Sequence, residues 1–163
     1  MIVPVSTQKQ IEIIESLARE IWTEHYTPII GRAQVDYMLD KIQSRDAITR
    51  QIAEGYRYFL IRENGHDIGY IGIQPRGDEL FLSKIYVRAE ERGRGFGWEG
   101  FTFIEDIAKK EGFAAITLTV NKNNTNSIRT YETWGFEKLF ALVQDIGGGF
   151  VMDDYKMGKT IRT

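Results

Sequence analysis

Six consecutive residues of this chain combine three glycines with two arginines, in the order Arg92-Gly93-Arg94-Gly95-Phe96-Gly97. Glycines leave backbone N–H groups free to turn toward a ligand, because no Cβ stands in the way. The helix predicted to begin just after them adds unpaired amides and the positive end of its dipole. Arginine side chains add positive charge and paired donors. Together these residues predict a phosphate or pyrophosphate site; the alternative is a tight solvated turn with two surface arginines.

Two well-known phosphate-binding patterns fit this stretch poorly. A P-loop ends in Gly-Lys followed by serine or threonine, whereas the chain continues as Gly97-Trp98-Glu99. A dinucleotide-binding fold needs G-x-G-x-x-G and an acidic residue after the second strand. Here the spacing is G-x-G-x-G, and Asn121 follows the strand predicted over Ala114–Val120. A nucleotide-binding oxidoreductase fragment is therefore a weak alternative.

The composition is that of an ordinary folded domain. With 163 residues, of which 42% are hydrophobic, the chain is long enough for one domain with a sizeable core. It contains no cysteine, which excludes disulfides, thiolate metal sites and a cysteine nucleophile, and we expect no metal. The net charge of −2 includes no basic surplus, so neither nucleic acid nor a membrane is an expected partner. The first residues lack the pattern of a signal peptide, and we expect a cytoplasmic protein.

Hydrophobic periodicity and turn signals predict the elements that position the glycine-rich turn. The predicted helices cover Thr7–Glu24, Ala33–Ile42, Ser44–Glu54, Trp98–Glu111 and Thr125–Trp134. The predicted strands cover residues 2–5, Tyr56–Arg62, Ile68–Gln74, Glu79–Val87, Ala114–Val120, Phe136–Ile146 and Phe150–Met157. No repeat or linker interrupts this order, so residues 1–163 are predicted to form a single mixed α/β domain around one sheet.

The turn and its surroundings resemble the GNAT superfamily of N-acetyltransferases. Arg92–Gly97 is similar to that family's pyrophosphate motif, Q/R-x-x-G-x-G/A, and it follows a strand that ends Ile85-Tyr86-Val87. Further along, the chain resembles the family's N-x-x-A-x-x-x-Y-x-x-x-G-F segment, with serine in place of the usual alanine. The matching residues there are Asn124, Ser127, Tyr131, Gly135 and Phe136. The flanking segments resemble a bacterial subgroup whose acceptor is unknown.

The resemblance implies an α/β fold of the α+β type, with a mixed central sheet of about seven strands, helices on both faces, and splayed strands 4 and 5. It also implies that acetyl-CoA binds as co-substrate where the two strands separate. The residues expected to bind it are Ile85, Tyr86, Val87, Arg92, Gly93, Arg94, Gly95, Phe96, Gly97, Asn124 and Ser127. Tyr131 is the candidate general acid toward the CoA sulfur, since a phenol of pKa about 10 stays protonated at neutral pH. Packing at the end of its helix is the alternative.

The acceptor site is predicted from aromatic residues near the first helix and the last hairpin. Its expected lining residues are Trp22, His25, Tyr26, Ile30, Tyr37 and Phe150 at the Gly147–Phe150 tip. Aromatic lining suits an amphipathic amine, although core packing is the favoured interpretation of Trp22. The general base stays unassigned. Glu79, Asp153 and Asp154 are candidates, but a surface carboxylate is the favoured interpretation of each.

The predicted activity is transfer of the acetyl group of acetyl-CoA directly to a primary amine of a small molecule or peptide. Direct attack is the simpler route because no cysteine could carry the acetyl group. A catalytically weak acetyl-CoA-binding module with a sensing or interaction role is the alternative. The predicted partner is the amine substrate, and a homodimer is left open.

Overall fold

The computed structural model describes residues 1–161. Its helices are α1 (Gln8–Ile30), α2 (Arg32–Ile42), α3 (Arg45–Ala53), α4 (Phe96–Glu111) and α5 (Thr125–Thr133). Its strands are β1 (Ile2–Pro4), β2 (Arg57–Glu63), β3 (His66–Arg76), β4 (Glu79–Val87), β5 (Ala115–Asn121), β6 (Glu137–Gly147) and β7 (Phe150–Thr160). Every predicted element is present, and apart from α1 the bounds differ from the predictions by no more than a few residues.

All seven strands belong to one mixed sheet with the order β1-β2-β3-β4-β5-β7-β6. Neighbouring strands are antiparallel except β4 and β5, which run parallel on either side of α4 in the sequence. These two strands pair only at residues 79–81 and 115–117, although both continue well beyond. Past that point they separate. The mixed sheet with splayed fourth and fifth strands is therefore confirmed.

The two faces of the sheet carry separate hydrophobic cores. On one face, α4 and α5 contribute Phe101, Ile104 and Ile128 to a cluster with strand residues. On the other, α1, α2 and α3 contribute the second cluster, in which Ile14 and Ile48 are fully buried. Each such side chain contributes about 1.5–3 kcal/mol on burial. The predicted helices on both faces are confirmed, and none of the helices in the described part of the chain is long and apolar enough to cross a membrane.

One extra residue in β4 changes the direction of its side chains. The pairing register with β3 skips Ser83, which makes this position a β-bulge. Before the bulge, Leu80 and Leu82 belong to the core under α4. After it, Lys84 and Tyr86 border the opposite side of the sheet, where α1 lies.

Helix α1 is longer than the sequence predicts. We expect it to end near Glu24 because Pro28 cannot donate a backbone hydrogen bond, yet the helix continues to Ile30. Gly31, with a φ of 86°, ends it. Pro28 lies in the last turn, so the helix loses a single internal bond there. The extra turn carries Tyr26 and Ile30 toward the splayed strands.

Candidate active site

The glycine-rich turn lies just before the first turn of α4. Gly93 and Gly95 have φ values of 78° and 87°, a region that glycine adopts without steric cost. A Cβ at either position would meet no atom within 4 Å, so the space beside the turn is open. The amides of Phe96, Gly97 and Trp98 have no acceptor within the helix, and no side chain caps them. The turn therefore has the free donors and the helix dipole of an anion site.

Both arginines of the turn bind carboxylates of the protein itself. The terminal nitrogens of Arg92 lie 3.1 and 3.0 Å from the two carboxylate oxygens of Glu24, and its Nε donates to the carbonyl of Val87 at 3.0 Å. Arg94 pairs with Glu91. Surface pairs of this kind are worth about 1 kcal/mol or less. An incoming anion can therefore compete for both side chains.

The part of β4 beyond the split presents backbone groups to the gap. The amide of Arg88 donates to the carbonyl of Ile68 at the start of β3. Because hydrogen-bonding groups alternate sides along a strand, the amide of Tyr86 also faces β3, whereas those of Ile85 and Val87 face the gap. An extended chain that carries amides could pair with this open edge.

Three tyrosines meet close to the gap. The hydroxyls of Tyr26 and Tyr86 are 2.9 Å apart. Tyr131 lies near both of these tyrosines. Its ring packs against Trp134 and Phe136 at centroid distances of 5.6 and 6.0 Å. Burial raises the pKa of Tyr131, and Tyr26 acts in the same direction, so the phenol keeps its proton at neutral pH. Its hydroxyl makes no hydrogen bond with any other described residue, which leaves it free to donate to a ligand.

Asn124 and His25 connect α5 to the glycine-rich turn. Asn124, only 4% exposed, precedes α5 but its side chain does not cap the helix; it lies beside His25 and Tyr26. Burial lowers the pKa of His25, and the charge of Arg92 lowers it further, so the imidazole is neutral at neutral pH. Ser127 is half-buried in the first turn of α5, on the same side as the candidate acid.

A cavity of about 510 Å³ lies on the α1 side of the sheet. Residues of β4 and β5 beyond their last paired positions line it, so it meets the gap between the strands. Of the residues predicted for the acceptor site, Trp22, Tyr26 and Ile30 line this cavity. Trp22 also packs in the core and is 3% exposed. The volume is that of a small-molecule site.

Asp154 is the one carboxylate that lines this cavity within residues 1–161, although residue types and spacing do not distinguish it from the other candidate bases. It lies on β7, opposite Asn121 of β5, and is 2% exposed. Burial raises the pKa of Asp154 to about 6, Asp153 acts in the same direction, and Lys122 opposes them. A carboxylate with this pKa is ionised at neutral pH and still basic enough to accept a proton.

The other two candidate bases lie outside the cavity lining. Glu79 accepts a hydrogen bond from the hydroxyl of Thr117 at 3.1 Å and pairs with Lys156 at 3.5 Å. Asp153 pairs with Lys122 at 2.8 Å. Both carboxylates are therefore engaged with protein partners.

Tyr37 and Phe150 fasten the β6–β7 hairpin to α2 and do not line the cavity. Their ring centroids are 5.2 Å apart, and the hydroxyl of Tyr37 donates to the carbonyl of Ile146 at 2.8 Å. Gln34 of α2 adds a bond to the carbonyl of Val151 at 2.7 Å. These contacts hold the hairpin beside the cavity.

Known proteins resemble this chain in sequence and in fold. The model of the acetyltransferase (GNAT) family matches residues 14–136. An uncharacterized N-acetyltransferase of Lactobacillus delbrueckii subsp. lactis is 24% identical over 166 residues, covering 93% of this chain and 94% of that protein. A candidate ribosomal protein bS18-alanine N-acetyltransferase of Bacillus subtilis is 24% identical over 96 residues, which are 58% of this chain and 64%, less than two thirds, of that protein. The crystal structure of PaiA N-acetyltransferase from Thermoplasma acidophilum in complex with coenzyme A superposes with a TM-score of 0.81 at 20% identity, covering 98% of this chain and 99% of that one. At such identity the superposition shows a common fold.

Proposed function

Because this chain belongs to the acetyltransferase (GNAT) family, we propose that it moves the acetyl group of acetyl-CoA directly onto a primary amine of a small molecule or peptide. The observation that carries the proposal is the gap between β4 and β5. A turn with free backbone amides lies near one end of the gap, and the gap opens into a cavity with a buried carboxylate. The gap thus offers separate places for the two substrates.

The residues beside the gap fit acetyl-CoA by their chemistry. The amides at the start of α4 suit a pyrophosphate. Arg92 and Arg94 would leave their carboxylate partners and bind the pyrophosphate instead. The open amides of Ile85 and Val87 suit the pantetheine arm. Tyr86, Asn124 and Ser127 complete the proposed set. Acetyl-CoA supplies the thioester carbonyl carbon that the amine attacks.

Asp154 is the general base in this proposal. An aliphatic amine is an ammonium ion at neutral pH and cannot attack until it loses a proton. The carboxylate of Asp154 accepts that proton, and the neutral nitrogen then forms a bond to the carbonyl carbon. In this proposal one of the amides of Ile85 and Val87, which face the gap, stabilises the oxyanion, an effect worth a few kcal/mol.

Tyr131 is the general acid. When the carbon–sulfur bond breaks, Tyr131 donates its proton to the leaving thiolate, whose thiol has a pKa of about 8.5. The nitrogen loses its second proton as the amide forms, and this proton restores the phenol. One acetyl group moves, CoA leaves as a thiol, and one proton is released in total.

An acetyl-CoA consumption assay tests the proposal. The protein is mixed with acetyl-CoA and single amines from a panel of polyamines, amino acids, aminoglycosides and peptides, while thiol release is followed. Mass spectrometry then identifies any product carrying one added acetyl group. Acetyl-CoA binding without a product from any amine would contradict the enzyme and favour the acetyl-CoA-binding module.

A further inference from the structure

Lys84 is a buried lysine that lines the cavity. It is 7% exposed, and no carboxylate among residues 1–161 pairs with its ammonium group. Its Nζ donates to the hydroxyl of Ser83 at 2.5 Å and lies 5.8 Å from the ring centroid of Tyr56. A buried charge without a counter-ion is costly to the fold. Stability therefore gives no reason for a cation at this position.

The β-bulge at Ser83 is what directs Lys84 into the cavity. Without the extra residue, strand alternation would place Lys84 on the same face as Leu82, in the core under α4. Bulges are common beside active sites, where they redirect a side chain. Here the redirected side chain is a cation.

Two further cations line the same cavity. The guanidinium carbon of Arg76 lies 3.7 Å from the ring centroid of Phe81, and its Nε donates to Gln74, which leaves its terminal nitrogens available. Lys156 pairs with Glu79 at 3.5 Å. Burial lowers the pKa of Lys84 to about 8, and the charge of Arg76 acts in the same direction. With Asp154 as the opposing charge, the lining carries a net positive charge at neutral pH.

The cations and the carboxylate occupy different levels of the sheet. On β7, Lys156 is opposite Thr119 and Asp154 is opposite Asn121, two residues along the strand. On β4, Lys84 precedes Tyr86 by the same two residues. Two residues of a strand span about 7 Å. Tyr86 bonds to Tyr26, whose hydroxyl is close enough to Asp154 to feel its charge. The cavity thus has a cationic end at the level of Lys84 and an acidic end at the level of Tyr86 and Asp154.

We propose that the acceptor is an amine that also carries an anionic group, a carboxylate or a phosphate, which Lys84 and Arg76 bind while the amine lies beside Asp154. This inference rests on the proposed acetyl transfer and adds the class of acceptor. Bound anion would supply the counter-ion that Lys84 lacks. A charge-assisted hydrogen bond in a buried site should raise kcat/KM for the anionic acceptor about tenfold or more above that of an acceptor without the anion.

Matched pairs of amines test the preference. The pairs are γ-aminobutyrate with butylamine, lysine with cadaverine, and O-phosphoethanolamine with ethanolamine. We expect kcat/KM to be about tenfold or more higher for the anionic member in at least one pair. The carboxylate and phosphate pairs show which anion the site takes. Equal kcat/KM within every pair that reacts would overturn the inference and leave acetyl transfer intact.

Two lysine variants assign the preference to the cavity. Lys84→Met keeps the unbranched side chain up to the position of Cε and removes the charge, so the ratio within the preferred pair should fall toward one. The variant should fold with a Tm at or above that of the wild type, because an unpaired buried ammonium is replaced by an apolar chain. Lys109→Met removes the same charge from an exposed position on α4 and should keep the ratio. An equal loss for both members of the pair in Lys84→Met would mean a structural role only.

Binding of reaction products gives a readout that does not need turnover. Calorimetry compares N-acetyl-γ-aminobutyrate with N-butylacetamide near pH 8, where Lys84 is partly deprotonated. Tighter binding of the anion, with proton uptake that disappears in Lys84→Met, supports anion binding by Lys84 even if no amine is acetylated. In that case it is the proposed function that fails. Equal binding of the two compounds without proton uptake would overturn the inference, whatever the turnover.

Discussion

Burial beside Asp153 raises the pKa of Asp154 to about 6, so its carboxylate is ionised at neutral pH and protonated in mild acid. A base must be ionised to work, and we therefore expect kcat/KM of the wild type to fall as the pH drops below about 6. Asp154→Asn should lower turnover by about 100-fold or more at neutral pH and abolish this acidic limb. A pH profile of thiol release with a reactive amine measures both effects.

Asp153→Asn is the matched control, because Asp153 is the exposed neighbour that pairs with Lys122. It should leave turnover within a few-fold of the wild type.

The stability of Asp154→Asn is a second, separate measurement. The carboxyl of Asp154 has a pKa of about 6 in the folded chain and of about 3.9 in the unfolded chain. The free energy of unfolding therefore falls as the pH rises from about 4 to about 6, and it stays lower at higher pH. Asp154→Asn should therefore be more stable than the wild type at pH 8, by roughly 1–3 kcal/mol in urea unfolding. Unchanged turnover and an unchanged pH profile in Asp154→Asn would remove it from the mechanism.

Tyr131→Phe isolates the proposed acid, because only the hydroxyl is lost and the ring can still pack on Trp134 and Phe136. Turnover should fall by about 100-fold, the usual contribution of a general acid, while acetyl-CoA affinity changes little. Single-turnover kinetics and calorimetry separate the two quantities. Tyr155→Phe is the control, because Tyr155 packs against the same hydrophobic core but is not one of the three tyrosines beside the gap. Wild-type single-turnover rates in Tyr131→Phe would leave this tyrosine a packing residue.

Residue types and spacing indicated the glycines of the turn, and the resemblance to the GNAT family indicated Tyr131. Asp154 could not be found in the same way. Alternation along β7 places Asp153 and Asp154 on opposite faces, but which face meets a cavity depends on the packing of α1 and α2. Burial, and with it the raised pKa, comes from contacts that are distant in sequence.

At the scale of elements, the start of α4 is proposed to bind the pyrophosphate of acetyl-CoA, and a substitution there tests this role. Gly95→Glu would place a side chain and a negative charge among the free amides. The carboxylate would repel the pyrophosphate, and like charges in contact cost several kcal/mol of binding free energy. Acetyl-CoA affinity should fall by about 100-fold or more in calorimetry.

The control for this substitution lies at the other end of the same helix. Gly112 ends α4 with a φ of 79°, and a Cβ added there would meet no atom within 4 Å, as at Gly95. Gly112→Glu therefore carries a similar backbone penalty of about 1–2 kcal/mol and adds the same charge. Its acetyl-CoA affinity should remain that of the wild type. Equal losses in both variants would mean that helix stability, and not anion binding, determines the affinity.

Helix α1 shows how far element boundaries follow from sequence. Thr7 and Gln10 form the capping box at its start, and a local signal of this kind is readable. Its end was predicted wrongly, because the missing N–H of Pro28 removes a single helical hydrogen bond and the helix continues past it. Packing of Tyr26 and Ile30 against the core beneath α1 favours the additional turn.

At the scale of the whole molecule, strand order was the part that local patterns left open. Seven strands, helices on both faces and the splay follow from the order of elements and the resemblance to the family. The insertion of β7 between β5 and β6 is a long-range pairing, since β6 comes before β7 in the chain but lies at the edge. This insertion brings Asp154 beside β5.

The sheet also consists of two halves, β1 to β4 and β5 with β7 and β6, joined at three residue pairs. Acetyl-CoA that fills the gap would pair with the open edge of β4, and amide hydrogen exchange can detect this at single residues. The amides of Ile85 and Val87 face the gap and should exchange rapidly in the free protein. At about 100 times Kd of acetyl-CoA their exchange should slow by about 100-fold.

The amides of Tyr86 and Arg88 provide the internal reference for this measurement. Arg88 donates to the carbonyl of Ile68, and Tyr86 faces β3, so both are protected before any ligand binds. If exchange slows at Ile85 and Val87 and stays unchanged at Tyr86 and Arg88, the ligand extends the sheet from the open edge of β4. If all four amides slowed together, the ligand would be stabilising the sheet as a whole from another site. If none changed while calorimetry showed binding, acetyl-CoA would lie outside the gap, and the places proposed for the two substrates would be wrong.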